Sequence, residues 1–270
     1  MRTVQMELLR PGELTAERER VSIVYLPVSP VEWHSYHMPM GSDALIAQHL
    51  ARMAAQVTGG VAAPTLFIGT ETVDKPEMLE TLNVPHDGHT VITGMDFPAN
   101  TVPSLYFREE VFAAAVREQM RLLANMGYRL IVVVNGHGAY GQTSTLRRLC
   151  AEENGAQRAR FVLPGLWGRR TEAIVRRENM DPGHAERMET ALMMAATHSV
   201  DLSLLPERGT PLHSADFGMA SGSQFTGATP KDGVVTDDPR DATPELGEAL
   251  FDAMAGDLAQ AVQEAYRALD

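Results

Sequence analysis

The residues best suited to chemistry lie in the stretch Pro27–Asp43, PVSPVEWHSYHMPMGSD, directly after the apolar run Val21–Pro27. It sets Glu32 and His34 two positions apart, adds His37, and ends on Asp43 at the start of a helical pattern. In an extended segment, side chains two apart point the same way, so Glu32 and His34 can reach one point. Asp43 falls where a helix N-terminus favours an anion. Carboxylates with a neutral imidazole form a mixed oxygen and nitrogen donor set that zinc and manganese accept. Short His/Glu/Asp clusters also arise without a metal, and this stretch alone does not decide between the two.

Two further segments carry chemistry-bearing side chains. Asn135-Gly136-His137-Gly138 follows the apolar run Tyr128–Val134. Glycines on both sides of His137 permit a tight turn and a close backbone approach, although a plain turn with an incidental histidine has the same pattern. HAERMET at His184–Thr190 places His184 and Glu189 just before the apolar LMMAA. On spacing alone Glu189 reads more simply as an exposed helical residue. His86 and His89, beside Asp87 and Gly88, read more simply as solvated loop histidines than as ligands. Cys150, inside TLRRLCAEE, reads as a buried inert thiol.

Composition narrows the function classes. The chain has 270 residues, 44% hydrophobic and 21% charged, ordinary for a soluble globular protein with a sizeable core. A net charge of −12 argues against a nucleic-acid backbone or an anionic membrane as the main partner. One cysteine excludes an internal disulfide and fits a reducing compartment. No apolar run approaches the length of a membrane span, and the N-terminal stretch lacks a signal-peptide core. A cytoplasmic protein is expected.

These side chains need elements to position them. Val21–Pro27, Val61–Ile68, Tyr128–Val134 and Arg160–Leu166 read as strands, the second weakened by Pro64. Apolar spacing predicts helices over Ala44–Val57, Glu109–Met126, Gln142–Glu153, His184–Thr197 and Glu245–Leu269. Residues 1–20 read as polar and peripheral, and Gly69–Ser104 and Leu204–Thr243 as long loops. The alternation of strand and helix points to an α/β fold with a mostly parallel sheet covered by helices. Ligands in such sheets bind beyond the C-terminal ends of the strands. Glu32 and His34 follow one strand there, and His137 follows another.

The three segments together resemble the creatininase (creatinine amidohydrolase) family over nearly the whole chain. PVSPVEWHSYHMPMGSD matches its Pro-Val-Gly-Ser-x-Glu-Gln-His-Gly-x-His-x-Pro-x-x-x-Asp signature, NGHGAY its Asn-Gly-His-Gly-Gly-Asn, and HAERMET its His-Ala-Gly-Glu-x-Glu-Thr. FPANT at Phe97–Thr101 and GVVTDDP at Gly233–Pro239 are weaker matches. The resemblance implies one domain over residues 1–270, a three-layer sandwich with a mostly parallel central sheet, and two divalent ions, Zn, Mn or Fe. Glu32, Asp43 and His137 would hold one ion and His34, Asp43 and Glu189 the other, with Asp43 bridging. Such ions sit about 3.5–4 Å apart and share a hydroxide of pKa about 7. His184 would shuttle a proton to the departing nitrogen. His37 matches a family position and is expected to orient a ligand.

The departures fall between the matched positions. Trp33, Ser35 and Ser29 replace Gln, Gly and Gly; Ala139 and Tyr140 replace Gly and Asn; Glu186 and Arg187 replace Gly and Glu. Creatininase carries a carboxylate at the position of Ala139, so creatinine is not the expected substrate. Trp33, Tyr140, Arg187 and Trp167 are candidates to shape a site for a larger or anionic small molecule. The expected activity is hydrolysis of a cyclic amide, formamide or related non-peptide C–N bond. C–C ring opening of a keto-inositol, or a non-catalytic ligand-binding relative, are the alternatives. A homo-oligomer, hexameric as in the family, is also implied.

Overall fold

The computed structural model of the chain describes residues 3–73, 76–84, 92–156, 158–227 and 232–269. His86 and His89 lie outside the described residues. In chain order the elements begin α1 (Pro11–Arg20), β1 (Ile23–Val28), α2 (Ser42–Thr58), β2 (Val61–Ala62), α3 (Pro76–Thr81), α4 (Glu109–Asn125) and β3 (Leu130–Asn135). They continue with α5 (Tyr140–Ala156), β4 (Arg160–Val162), α6 (Arg169–Arg177), α7 (Arg187–Ala196), α8 (Ser214–Phe217), α9 (Gly222–Phe225) and α10 (Pro244–Arg267).

The four strands form a parallel sheet in the order β2-β1-β3-β4. IVYLPV and LIVVVN are nearly continuous apolar runs because helices cover both faces of the sheet. Ile23, Tyr25, Leu130, Val132 and Val134 pack on one side, against Leu50 of α2, Leu192 of α7 and Leu258 of α10. Val24, Leu26, Val28, Ile131 and Val133 pack on the other, against Phe112 and Val116 of α4 and Leu146 of α5. The architecture is therefore a three-layer α/β sandwich, as expected. Val28 pairs with Asn135, so the loops leaving β1 and β3 emerge side by side.

Several elements differ from expectation. β2 keeps only Val61–Ala62 of the predicted Val61–Ile68, with one later bridge from Leu66 to Val28. Pro64 has no N–H to give the ladder. The fourth strand stops at Val162, two residues before Pro164. The predicted helix from His184 starts only at Arg187, because Ala185 takes a left-handed conformation at φ 53°. Helix α1 lies inside the segment read as peripheral. It has no apolar stripe, but Pro11 opens it and Glu13 accepts from the Arg10 N–H at 2.8 Å. Its buried Glu17 then accepts from the Gly60 N–H at 2.8 Å, which ties the helix to the turn before β2.

Candidate metal centre

Three chain segments, loops and the helix starts that follow them, bring the candidate ligands together. Beyond β1 the chain delivers Glu32 and His34, then turns into α2 with Asp43 buried in its first turn. Beyond β3, Gly136 packs against Asp43: a Cβ there would meet the Asp43 carbonyl oxygen at 2.2 Å. Only glycine allows that approach, and it sets His137 over the carboxylate. Nothing lies within 4 Å of a Cβ built on Gly138, so the second glycine is not needed for packing. Glu189 comes from the first turn of α7, whose opening N–H groups at Met188 and Glu189 bond to the Glu186 carboxylate.

The five side chains meet. Asp43 Oδ1 is 3.1 Å from His34 Nε2, and Asp43 Oδ2 is 2.9 Å from His137 Nδ1. Glu189 Oε2 stands 3.7 Å from the same His34 nitrogen, and Glu32 Oε2 3.1 Å from the same His137 nitrogen. His34 Nδ1 lies 3.0 Å from the Glu32 carbonyl oxygen. A carbonyl only accepts, so Nδ1 is the protonated nitrogen and Nε2 faces the two carboxylates.

That donor set calls for positive charge. Burial opposes a charge on His34, yet Asp43, backed by Glu189 and Glu32, lifts its pKa to about 10. His137 is likewise driven well above its ordinary value, burial being outweighed chiefly by Glu32 and Asp43. Burial lifts the Glu189 carboxyl to about 7, with the neighbouring carboxylates adding and His34 opposing. A single N–H on His137 Nδ1 can point at one oxygen only. Asp43 takes it, and Glu32 Oε2 is left buried with no hydrogen-bond partner. A divalent cation engages several oxygens and a nitrogen at once, so the residues present fit a metal.

His184 sits beside this cluster, its ring 4.5 Å from that of His34. Its Nε2 lies 2.7 Å from the Trp33 carbonyl oxygen and must donate to it, which turns the Nδ1 lone pair toward Glu32 Oε2, 3.9 Å away. Burial, with His34 and His137 adding, lowers its pKa to about 3. His37 bonds through Nε2 to Thr190 Oγ1 at 2.8 Å, so it holds the residue next to Glu189 rather than one of the candidate ligands.

A cavity of about 560 Å³ opens over the cluster. Tyr140, Trp167 and Phe225 line it and are all exposed. Trp33 and Arg187, expected in the lining, lie elsewhere. The Trp33 ring is buried, donates to the Phe217 carbonyl oxygen at 3.0 Å and packs edge-on against Tyr36. Arg187 precedes Glu189 by two positions on α7, about 200° around the helix, and its guanidinium turns to Glu178. Among the described lining residues there is no Arg or Lys.

Two site residues carry no motif signal. Tyr106 donates its hydroxyl to Glu32 Oε1. Glu71, in the long loop after β2, brings its Oε2 to 2.7 Å from His137 Nε2. Glu32, Glu71 and His137 offer atoms within 4.8 Å of one another, as do His34, Asp43 and Glu189. Glu71 lies in the segment Gly69–Ser104, whose sequence predicts only a long loop.

Comparison with known proteins agrees with the fold. A crystal structure of creatinine amidohydrolase superposes with a TM-score of 0.68 at 21% identity, covering 98% of this chain and 99% of that one. A manganese form of creatininase gives 0.68 at 20% identity, and a Zn–Zn form of a mutant creatininase 0.67 at 20%, each with the same coverage. No curated protein sequence matches the chain. The family model described as creatinine amidohydrolase matches residues 7–262, and the chain therefore belongs to the creatininase family of hydrolases.

Proposed function

We propose that this chain, as one domain over residues 1–270, is a binuclear metal-dependent hydrolase. Its substrate is a cyclic amide, formamide or related non-peptide C–N bond of a small molecule. Glu32, Asp43 and His137 would hold one divalent ion, and His34, Asp43 and Glu189 the other. The observation that carries this is Asp43, whose two oxygens each face a different imidazole nitrogen that is also approached by a second carboxylate. A bound pair of such ions, Zn, Mn or Fe, supplies acidification of a water and polarisation of the substrate carbonyl.

The chain's own groups do the rest. His184, fixed by the Trp33 carbonyl, presents Nδ1 to the cluster. It takes the proton from the water that attacks the carbonyl carbon, and delivers it to the nitrogen as the C–N bond breaks. Tyr106 fixes Glu32 by bonding its outer oxygen. Tyr140, Trp167 and Phe225 offer flat apolar faces at the mouth, suited to a small ring. The single buried cysteine supports a reducing, cytoplasmic setting, and the family resemblance supports a homo-oligomer, hexameric by that likeness.

The test is a panel of cyclic amides, formamides and a keto-inositol offered to metal-loaded protein. Turnover of a C–N substrate is expected, falling about 10²–10⁴-fold in His184→Ala with metal content unchanged. Inertness toward every C–N substrate, with ring opening of the keto-inositol, would replace the proposed reaction by C–C hydrolysis.

A further inference from the structure

Glu71 stands outside the three motif segments, yet its environment is built. Its Oε1 accepts from the Thr72 N–H at 2.6 Å. Its Cγ fills the space over Gly94, where a Cβ would come within 2.2 Å. Thr72 Oγ1 in turn accepts from the Gly141 N–H at 3.1 Å, in the first turn of α5. The loop carrying Glu71 is thereby stapled to the helix that follows His137.

The carboxylate meets the outer edge of the His137 ring. Nδ1 already faces Asp43 and Glu32, and Nε2, on the far side, faces Glu71 at 2.7 Å and off the N–H axis. The Glu71 side chain is only 9% exposed. Among the described residues, no Arg or Lys stands at ion-pair distance from it. A carboxylate so placed has one basic partner, and that partner is a candidate ligand.

We propose that Glu71 is the positioning residue for His137: it keeps a proton on Nε2, so that a cation arriving between Glu32 and Asp43 displaces the Nδ1 proton that Asp43 accepts here and meets the Nδ1 lone pair. The inference rests on the metal-holding role of His137. Outer carboxylates on ligating imidazoles fix the tautomer and raise ligand basicity, and their loss costs about 10–100-fold in metal affinity. Glu71 thus tunes one of the two ions and leaves the one at His34 alone.

Mn2+ titrated into the chelator-treated full chain by calorimetry tests this without reference to turnover. Glu71→Ala is expected to weaken one binding step about 10–100-fold and leave the other unchanged. Glu71→Gln, which keeps an oxygen acceptor in the same shape, is expected to weaken it by a smaller factor. Wild-type affinity in Glu71→Ala overturns the positioning role alone. Equal losses in the two variants also overturn it, and make Glu71 a direct ligand. A wild-type chain that takes up no Mn2+ overturns the metal reading and this inference together.

Discussion

Ser35 sits between His34 and the turn into α2 with φ 60°, a left-handed conformation that costs a side-chain-bearing residue about 1 kcal/mol or more. Its hydroxyl is buried without a hydrogen-bond partner. Ser35→Gly should therefore raise stability by about 0.5–1 kcal/mol, measured as a higher urea midpoint at unchanged slope. A lower midpoint would mean that the hydroxyl holds the loop. Residues of this loop were legible in sequence where their type sets the chemistry: Glu32, His34 and Asp43 stand at motif positions and meet in space. Trp33 and Arg187 were misplaced, because a neighbour's direction depends on the local turn. Two residues along α7 reverse the facing, and the chain between Glu32 and His34 sends the intervening indole into the packed side. Glu71 left no trace, since its partner is 66 positions away and reached only through the folded loop.

Among the elements, those with an apolar stripe or a doubly buried strand were legible: α2, α4, α5, α10, β1 and β3 all lie where periodicity puts them. α1 and α6 were not: α1 has no apolar stripe, and α6, which sets Ile174 and Val175 against the core, takes its start from a polar cap elsewhere. Asp257 of α10 caps α6, accepting from Gly168 and Thr171 N–H groups at 3.0 Å each and from the Thr171 hydroxyl at 2.9 Å. Burial raises the Asp257 carboxyl, but the hydrogen bonds from Thr171, Arg170 and Gly168 win and hold it below its ordinary value. The folded pKa is thus depressed, so the stabilisation is complete above the unfolded value of about 3.9 and is lost as pH falls through the lower native value. Asp257→Asn should cost about 1 kcal/mol at pH 7 and nearly nothing in strong acid, read from denaturant melts across pH. A cost independent of pH would show that the charge is not what caps the helix.

At the scale of the molecule, both helical layers and the sheet between them serve to gather the buried Glu32 and Asp43 and the partly buried Glu189 in one place. Like charges so close oppose folding unless cations neutralise them. Divalent metal should therefore stabilise the whole chain. At 100 times its dissociation constant an ion that binds only the folded state adds about 2.7 kcal/mol, or roughly 5–11 °C in Tm for a chain of this size. Chelation should lower the Tm by about that amount, and Mn2+ or Zn2+ should restore it. A Tm indifferent to both would mean that the protons on His34 and His137 suffice. No helix among the described residues is long and apolar enough to cross a membrane.

The claim on which the rest depends is that Asp43 joins two cations in one centre, and elemental analysis of the gently purified chain tests it most directly. The account predicts two divalent ions per chain in the wild type and loss of most of both in Asp43→Asn. Less than one ion in the wild type, or two retained without the Asp43 carboxylate, would contradict it.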